Sequence, residues 1–273
     1  SIEGGTAILN EGTIKGNINL DKESKIIGAL HNKNTIGGNI SLNDKSYISF
    51  INNEKNIQGS IDLKEQSHIN SIINSGTIEK GISLDKSTIG SIENSGIIGN
   101  GGIKLDNESK IGSITNNKNA KTDLDLKNNS IVDLVKNEGT MEITKDETSF
   151  INAFDNNGNL LSKFENNSQM QAIINNNNAI MEQGLENTGS IAAINNAGII
   201  VGINNTFNDK TKDDIKKGTI GSIVNTGIIG NEASPLATQD ITYGINNSGT
   251  IEKLINSSGD INNPNTDKDI HIY

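Results

Sequence analysis

Apolar residues recur along the chain at fixed distances from a repeated asparagine. One repeat runs from Ile72 to Ile89 and reads Ile-Ile-Asn-Ser-Gly-Thr-Ile-Glu-Lys-Gly-Ile-Ser-Leu-Asp-Lys-Ser-Thr-Ile. An apolar residue stands two positions before each asparagine, and others follow it by four, eight and ten positions. The repeat is about 21 residues long, a period typical of solenoids. The aligned asparagines are Asn10, Asn32, Asn53, Asn74, Asn94, Asn116, Asn137, Asn156, Asn176, Asn196, Asn225, Asn247 and Asn256.

The spacing within a repeat predicts short β-strands. Side chains two residues apart, such as Ile82 and Leu84, project from one face of a strand, and the abundance of isoleucine favours strands as well. The spacing of three and four residues that a helical solenoid needs is missing. We therefore predict an all-β fold, a parallel β-helix of about 13 turns. Residues 1–259 form the solenoid, and residues 260–273 form a last turn or a linker to a C-terminal region outside this sequence.

Polar residues mark the bends between the predicted strands. The Asn-x-Gly segments are expected to need positive φ, which glycine and asparagine tolerate, and their amides are expected to stack one above another as a ladder. A serine recurs at a second bend. We interpret the asparagines and the serines at these bends as structural residues. The serines are Ser24, Ser46, Ser67, Ser87, Ser109 and Ser130.

The repeat becomes irregular in the second half of the chain. An extra Asn-x-Gly motif at 187–189 interrupts the spacing, and the step from Asn196 to Asn225 is longer than the others. The surplus lies in a polar stretch, residues 204–218, and a second irregular stretch follows at 231–240. Insertions in a solenoid form loops on one face, often the binding face. The candidate ligand-binding residues are Asn204, Phe207, Asp209, Lys210, Lys212, Asp213, Asp214, Lys216 and Lys217.

Composition narrows the classes of function. The 273 residues carry a net charge of -10, so we expect no nucleic-acid partner. All 23 basic residues are lysine and cysteine is absent, which excludes bidentate arginine contacts, disulfides and thiolate metal sites. No apolar run is long enough for a membrane helix, and no signal peptide is evident. The sequence begins with Ser1, so we interpret it as a mature product or a piece of a longer protein.

We find no constellation of residues that predicts catalysis. The three histidines match no zinc-ligand spacing, and serine appears in no nucleophile motif. Paired carboxylates are the best candidates for a glycosidase, which needs two carboxyl groups across a sugar. We predict that the chain is not an enzyme and binds no cofactor or metal. The carboxylate pairs are Asp85 with Asp106, Asp123 with Asp125, and Asp213 with Asp214; the histidines are His31, His68 and His271.

Two motifs resemble the passenger regions of bacterial autotransporters, especially Asn- and Ile-rich passengers of Campylobacter and Helicobacter relatives. The motifs are Asn-Ser-Gly-Thr-Ile-x-x-Gly-Ile and Gly-Ser-Ile-x-Asn-Ser-Gly-Ile-Ile-Gly, found at 72–82, 90–99, 221–230 and 244–251. The resemblance implies a right-handed parallel β-helix that a C-terminal translocator barrel carries through the outer membrane. It also implies display on the bacterial cell surface or secretion, and roles in adhesion, aggregation or toxicity. The signal peptide and the barrel are absent from this sequence.

The leading hypothesis is an adhesin that binds a host-cell surface protein or glycan, or a neighbouring cell, through the solenoid face or the inserted loop. The alternatives are a passenger of a vacuolating-type cytotoxin and a spacer that binds nothing. A polysaccharide-active enzyme and an ice-binding solenoid follow as weaker alternatives. Either end of a parallel stack exposes unpaired strand groups, so we also expect end-to-end self-association.

Overall fold

The structure, a computed structural model, describes residues 5–208, 216–230 and 244–257, and these contain β-strands and no helix. Cα positions divide the chain into two compact units. The N-terminal unit comprises Ser1–Val135 and Thr144–Ser149, and the C-terminal unit comprises Lys136–Ile143 and Phe150–Tyr273.

Most coils of both units follow the order A strand, B strand, C strand. The strands up to residue 126 are β1 (Thr6–Asn10), β2 (Thr13–Ile14), β3 (Ile18–Leu20), β4 (Lys25–Asn32), β5 (Thr35–Ile36), β6 (Ile40–Leu42), β7 (Tyr47–Asn53), β8 (Asn56–Ile57), β9 (Ile61–Lys64), β10 (His68–Asn74), β11 (Thr77–Ile78), β12 (Ile82–Asp85), β13 (Thr88–Asn94), β14 (Ile97–Ile98), β15 (Ile103–Asp106), β16 (Lys110–Asn116) and β17 (Lys121–Leu126). The first three strands are thus one coil, and the order then repeats.

The remaining strands continue the same order. They are β18 (Ile131–Asn137), β19 (Thr140–Lys145), β20 (Phe150–Asn156), β21 (Asn159–Leu160), β22 (Phe164–Asn166), β23 (Gln169–Asn175), β24 (Ile180–Met181), β25 (Leu185–Asn187), β26 (Ser190–Asn196), β27 (Ile199–Ile200), β28 (Ile203–Asn205), β29 (Phe207–Asn208), β30 (Lys216–Lys217), β31 (Thr219–Asn225), β32 (Ile228–Ile229), β33 (Ile245–Asn247) and β34 (Thr250–Asn256). In the coils that begin at β16 and β18, one longer strand, β17 or β19, takes the place of separate B and C strands. Strands β29 and β30 stand outside the A, B, C order.

Successive coils of the N-terminal unit stack in parallel with like residues in register. In the A strands Ile72 of β10 lies between Ile51 and Ile92. The B and C strands repeat this arrangement, as Ile78 pairs with Ile57 and Leu84 with Leu63. Leu84 is 2% exposed, and the other six of these seven side chains are at most 1% exposed. The predicted parallel solenoid with an isoleucine core is confirmed.

The C-terminal unit is built in the same way with a more varied core. Its A strands β20, β23, β26, β31 and β34 pair in parallel, and its B and C strands form separate parallel stacks. The buried rings of Phe154 and Phe164 stack with their centroids 5.0 Å apart. Aromatic rings thus fill positions where the N-terminal unit has isoleucine or leucine.

The number of turns is smaller than predicted. The described residues contain twelve A strands, one for each coil of about 21 residues, whereas the aligned asparagines predict about 13 turns. Asn256 pairs with Asn225 in the A strands, but Asn247 pairs with Asn205 in the C strands and therefore starts no new coil. The alignment was also one residue off at Asn176, because Asn175 is the residue that pairs with Asn156.

The predicted asparagine ladder closes the first corner, between the A and B strands. From Asn10 to Asn94, and again from Asn137 to Asn256, each side-chain Nδ2 donates to the Oδ1 of the asparagine in the next coil. Between these two runs Thr122 Oγ1 accepts from Asn94 Nδ2 at 2.9 Å and donates to Asn116 Oδ1 at 2.8 Å. The distances are 2.7 to 2.8 Å from Asn10 through Asn32 and Asn53 to Asn74 and Asn94. In the C-terminal unit they are 2.7 to 3.0 Å along Asn137, Asn156, Asn175, Asn196, Asn225 and Asn256. Burial in a low-dielectric core strengthens such bonds.

The glycines of this corner are required for a different reason from the one predicted. Among the described residues, positive φ is not found at Gly76, Gly96 or Gly227. A Cβ on each would instead lie 2.0 to 2.1 Å from a carbonyl oxygen of the preceding coil. Positive φ is found at the serine corner, in pairs of larger residues such as Glu65 (55°) and Gln66 (64°). Coil-to-coil contact therefore selects glycine at one corner, while the other tolerates left-handed polar residues.

Candidate ligand-binding hairpin

A second asparagine ladder closes the corner between the C and A strands of the C-terminal unit. Asn166, Asn187, Asn205 and Asn247 occupy this corner, where the N-terminal unit has serine. Their Nδ2 atoms donate to the next Oδ1 at 2.8, 2.7 and 2.7 Å. The motif at 187–189, predicted as an interruption, is thus one step of a regular second ladder.

The predicted loop opens from this second ladder. Strands β29 and β30 pair antiparallel, Phe207 with Lys217 and Asn208 with Lys216, and form the base of a hairpin. Of the predicted ligand-binding residues, Asp209, Lys210, Lys212, Asp213 and Asp214 lie outside the described residues. Asn204 belongs to C strand β28, where its Oδ1 accepts a hydrogen bond of 2.9 Å from Asn246 Nδ2.

The hairpin is inserted inside an Asn-x-Gly corner without replacing it. Asn205 Nδ2 donates to Gly218 O at 3.1 Å, as Asn187 Nδ2 donates to Gly189 O at 3.2 Å in an uninterrupted corner. The amide of Gly218 donates to Thr206 O at 2.8 Å and closes the neck. Gly218 is therefore the corner glycine, and residues 207–217 are the insert within the predicted 204–218.

The outer side of the C strands beside the hairpin changes from charged to amide side chains. Glu165, Glu186 and Asn204 lie in register along β22, β25 and β28. Lys163 bridges the two carboxylates, with Nζ 3.3 Å from Glu165 Oε1 and in hydrogen-bonding contact with Glu186. The hydrogen bond that Lys163 Nζ donates to Glu186 raises the pKa of Lys163. The acidic charge at this surface is therefore partly compensated before the hairpin begins.

The two described histidines, His31 and His68, lie on different strands, β4 and β10, and have different partners. His31 Nε2 lies 2.6 Å from Glu54 Oε1, and this hydrogen bond lowers the pKa of Glu54. His68 lies 2.6 Å from Thr88 Oγ1 through Nδ1 and stacks on Tyr47. His271 lies outside the described residues. Within the described ranges no three His, Asp or Glu side chains are arranged to hold a metal ion.

The carboxylate pairs are engaged by amide or ammonium groups. Asp85 and Asp106 lie side by side on β12 and β15, and their Oδ1 atoms accept from Asn107 Nδ2 at 2.8 Å and from Asn128 Nδ2 at 2.6 Å. Asp125 pairs with Lys127 at 3.0 Å, and Asp123 has one enclosed oxygen without a partner. The pair Asp213 and Asp214 lies outside the described residues.

The most strongly perturbed carboxylate caps the last serine corner of the N-terminal unit. Burial raises the pKa of Asp146, but hydrogen bonds from Asn128 N, Ser149 and Thr148 lower it by a larger amount. The resulting pKa of Asp146 is about 2. The donors lie 2.6 to 3.0 Å from its oxygens. This carboxylate organises a turn.

Comparisons with protein-family models, with curated proteins and with solved structures each give no match to this chain. Over the described residues no helix is present that is long and apolar enough to cross a membrane.

Proposed function

We propose that the chain is a surface-displayed passenger segment that acts as an adhesin, with the 207–217 hairpin as its binding element. The observation that supports this is the preserved corner: the asparagine and glycine bonds on either side of the insert match those of uninterrupted corners. A scaffold that keeps its geometry around an insertion holds a loop rigidly at its neck, and binding residues often lie on such loops. The proposed partner is a host-cell surface protein or glycan, and the proposed location is the outer face of a bacterial outer membrane.

The mixed charges of the insert are consistent with recognition of a polar partner. Lysines and aspartates are interspersed through 209–217, in a region flanked by uncharged sequence. Interspersed charges at an interface contribute chiefly to specificity and association rate. Binding through this hairpin is therefore expected to weaken as ionic strength rises.

Attachment of the purified chain to epithelial cells and to a glycan array tests this proposal. One variant joins Thr206 directly to Gly218, which restores the spacing of the Asn187 corner. A matched control replaces residues 207–217 with a glycine-serine segment of equal length. Both are expected to keep the melting temperature of the parent and to lose saturable binding.

The outcomes separate three readings. Saturable binding by the parent that both variants lose supports the hairpin as the binding element. Binding that both variants retain overturns this role and transfers it to the solenoid surface. A parent that attaches to neither cells nor glycans contradicts the adhesin proposal and favours a spacer.

A further inference from the structure

Charged residues are missing from three stretches of the C-terminal unit, 166–181, 187–208 and 218–231, although 21% of the chain is charged. The described parts of these stretches include A strands β23, β26 and β31, the corners that follow them, and B strands β24, β27 and β32. Three consecutive coils therefore share a surface without charge on a protein of net charge -10.

The outward side chains of this surface form columns of distinct size. Ala172, Ala193 and Ser222 are in register as a column of small residues. Beside it lies a column of larger residues, and a column of isoleucines follows beyond the corner. All are exposed or half-exposed. We name these nine residues the neutral face: Ala172, Ile174, Ile180, Ala193, Asn195, Ile199, Ser222, Val224 and Ile228.

Charge bounds the neutral face along its A strands. The preceding strand β20 places half-buried Asp155 in the column of Ile174, and the following strand β34 places exposed Lys253 in the column of Ser222. The same positions of neighbouring coils thus carry charge, while β23, β26 and β31 carry none.

We propose that the neutral face is a lateral contact surface for a second copy of this chain. Two copies of net charge -10 repel each other, and a contact that buried carboxylates would add a desolvation penalty. A face without charge avoids both costs. This interface is distinct from end-to-end stacking, because it lies on the flank of the coils.

The geometry of the face suits a copy of itself. Both partners have the same strand spacing of about 4.8 Å, so columns of side chains remain in step along the contact. A two-fold axis parallel to the stacking direction sets the small column of one copy against the larger column of the other. Such interdigitation of identical sheets is how stacked β-sheets exclude water.

The size of the face predicts a weak interaction. Three strands at about 4.8 Å, and about ten residues of about 3.3 Å across, give on the order of 400 Å². A stable complex buries about 800 Å² on each partner. The contact is therefore expected to be transient between single molecules and cumulative between surfaces that carry many copies.

Sedimentation velocity of the full chain across a wide concentration range tests this proposal. We expect the weight-average sedimentation coefficient to rise with protein concentration. The rise should be larger in about 0.5 M NaCl, because salt at that concentration screens the repulsion between the two copies at distances shorter than the ~8 Å Debye length of physiological ionic strength. Ala193→Lys should weaken association about tenfold, since it buries an unpaired charge. The matched control Ser91→Lys changes the fourth residue of an A strand in the N-terminal unit.

Both variants add the same positive charge, so a general electrostatic effect would move them together. Loss of association in Ala193→Lys alone, with an unchanged melting temperature, supports the neutral face. Equal behaviour of the two variants, or a parent that sediments as one species throughout, overturns it. Removal of residues 207–217 is expected to abolish target binding and leave self-association intact, so failure of this inference and failure of the adhesin proposal are distinguishable.

Discussion

The two units close the same corner in different ways. In the N-terminal unit a serine hydroxyl donates within its own coil, as Ser130 Oγ does to Lys127 O at 2.6 Å, and residues with positive φ precede it. In the C-terminal unit a carboxamide donates to the next coil, as Asn187 Nδ2 does to Asn205 Oδ1 at 2.7 Å. The comparison shows that a solenoid corner can be stabilised locally or by bonds between coils. The described hairpin is inserted at the corner that is bonded between coils.

The largest difference between the units is expected from removal of a corner side chain. Asn187→Ala deletes bonds to Asn205, Gly189 and Thr219 and leaves buried polar groups unpaired, so we expect a loss of about 3 kcal/mol in the free energy of unfolding. Ser130→Ala removes one bond within a coil, from Ser130 Oγ to Lys127 O at 2.6 Å, and we expect a smaller loss of about 1 kcal/mol. Urea unfolding followed by circular dichroism measures both variants. Similar losses in the two would contradict the distinction between local and inter-coil closure.

Glycine is expected to act in opposite directions at the two kinds of corner. Gly227→Ala places a Cβ 2.1 Å from Gly198 O, and we expect a loss of about 2 kcal/mol from the backbone shift that follows. Gln66→Gly relieves a left-handed side chain with φ 64°, and we expect a gain of about 0.5 kcal/mol after the entropy of the unfolded chain is counted. Melting temperatures of the two variants should move apart. A gain in Gly227→Ala would show that the coils are not in contact at that glycine.

The smallest expected effect is on the pH dependence of stability. It distinguishes a corner capped by the ionisable side chain of Asp146 from a corner closed by asparagine amides, which do not titrate. The pKa of Asp146 is about 2 in the folded chain, below its unfolded value of about 3.9. Its stabilisation is therefore complete above about pH 4 and is lost as the pH falls towards 2. We expect Asp146→Asn to cost about 1 kcal/mol at neutral pH and to flatten the dependence of stability between these pH values. An unchanged acid profile would mean that other carboxylates dominate it.

The regular repeats could be predicted from the sequence because one residue type recurs in one structural role. Ile51, Ile72 and Ile92 all precede a ladder asparagine by two residues and all lie in the core. The alignment was wrong where asparagines are adjacent. In the run 175–178 any residue fits the motif, and only the burial of Asn175 rather than Asn176 fixes the register. Since side chains alternate between faces, a slip of one residue exchanges core and surface.

The candidate site was located by its excess length, but its construction was not predicted. The signal was present in the sequence, because Asn205-Thr206 followed by Gly218-Thr219 reproduces Asn187-Thr188-Gly189-Ser190 once the insert is removed. The antiparallel pairing of Phe207 with Lys217 could not be inferred, because the pattern of the insert has no clear alternation. The second ladder was missed for a related reason: its motif is identical to that of the first corner, and spacing along the chain does not say which corner an asparagine occupies.

The neck of the hairpin has a consequence for how this protein can diversify. Thr206 O and Gly218 N meet at 2.8 Å, so the coil receives the chain back at the point where it departed. The length and composition of residues 207–217 therefore have little effect on the packing of the coils on either side. Mutation, duplication or exchange within the insert can alter what the protein recognises without a change in the fold of the solenoid. Selection can therefore act on the insert and on the solenoid independently.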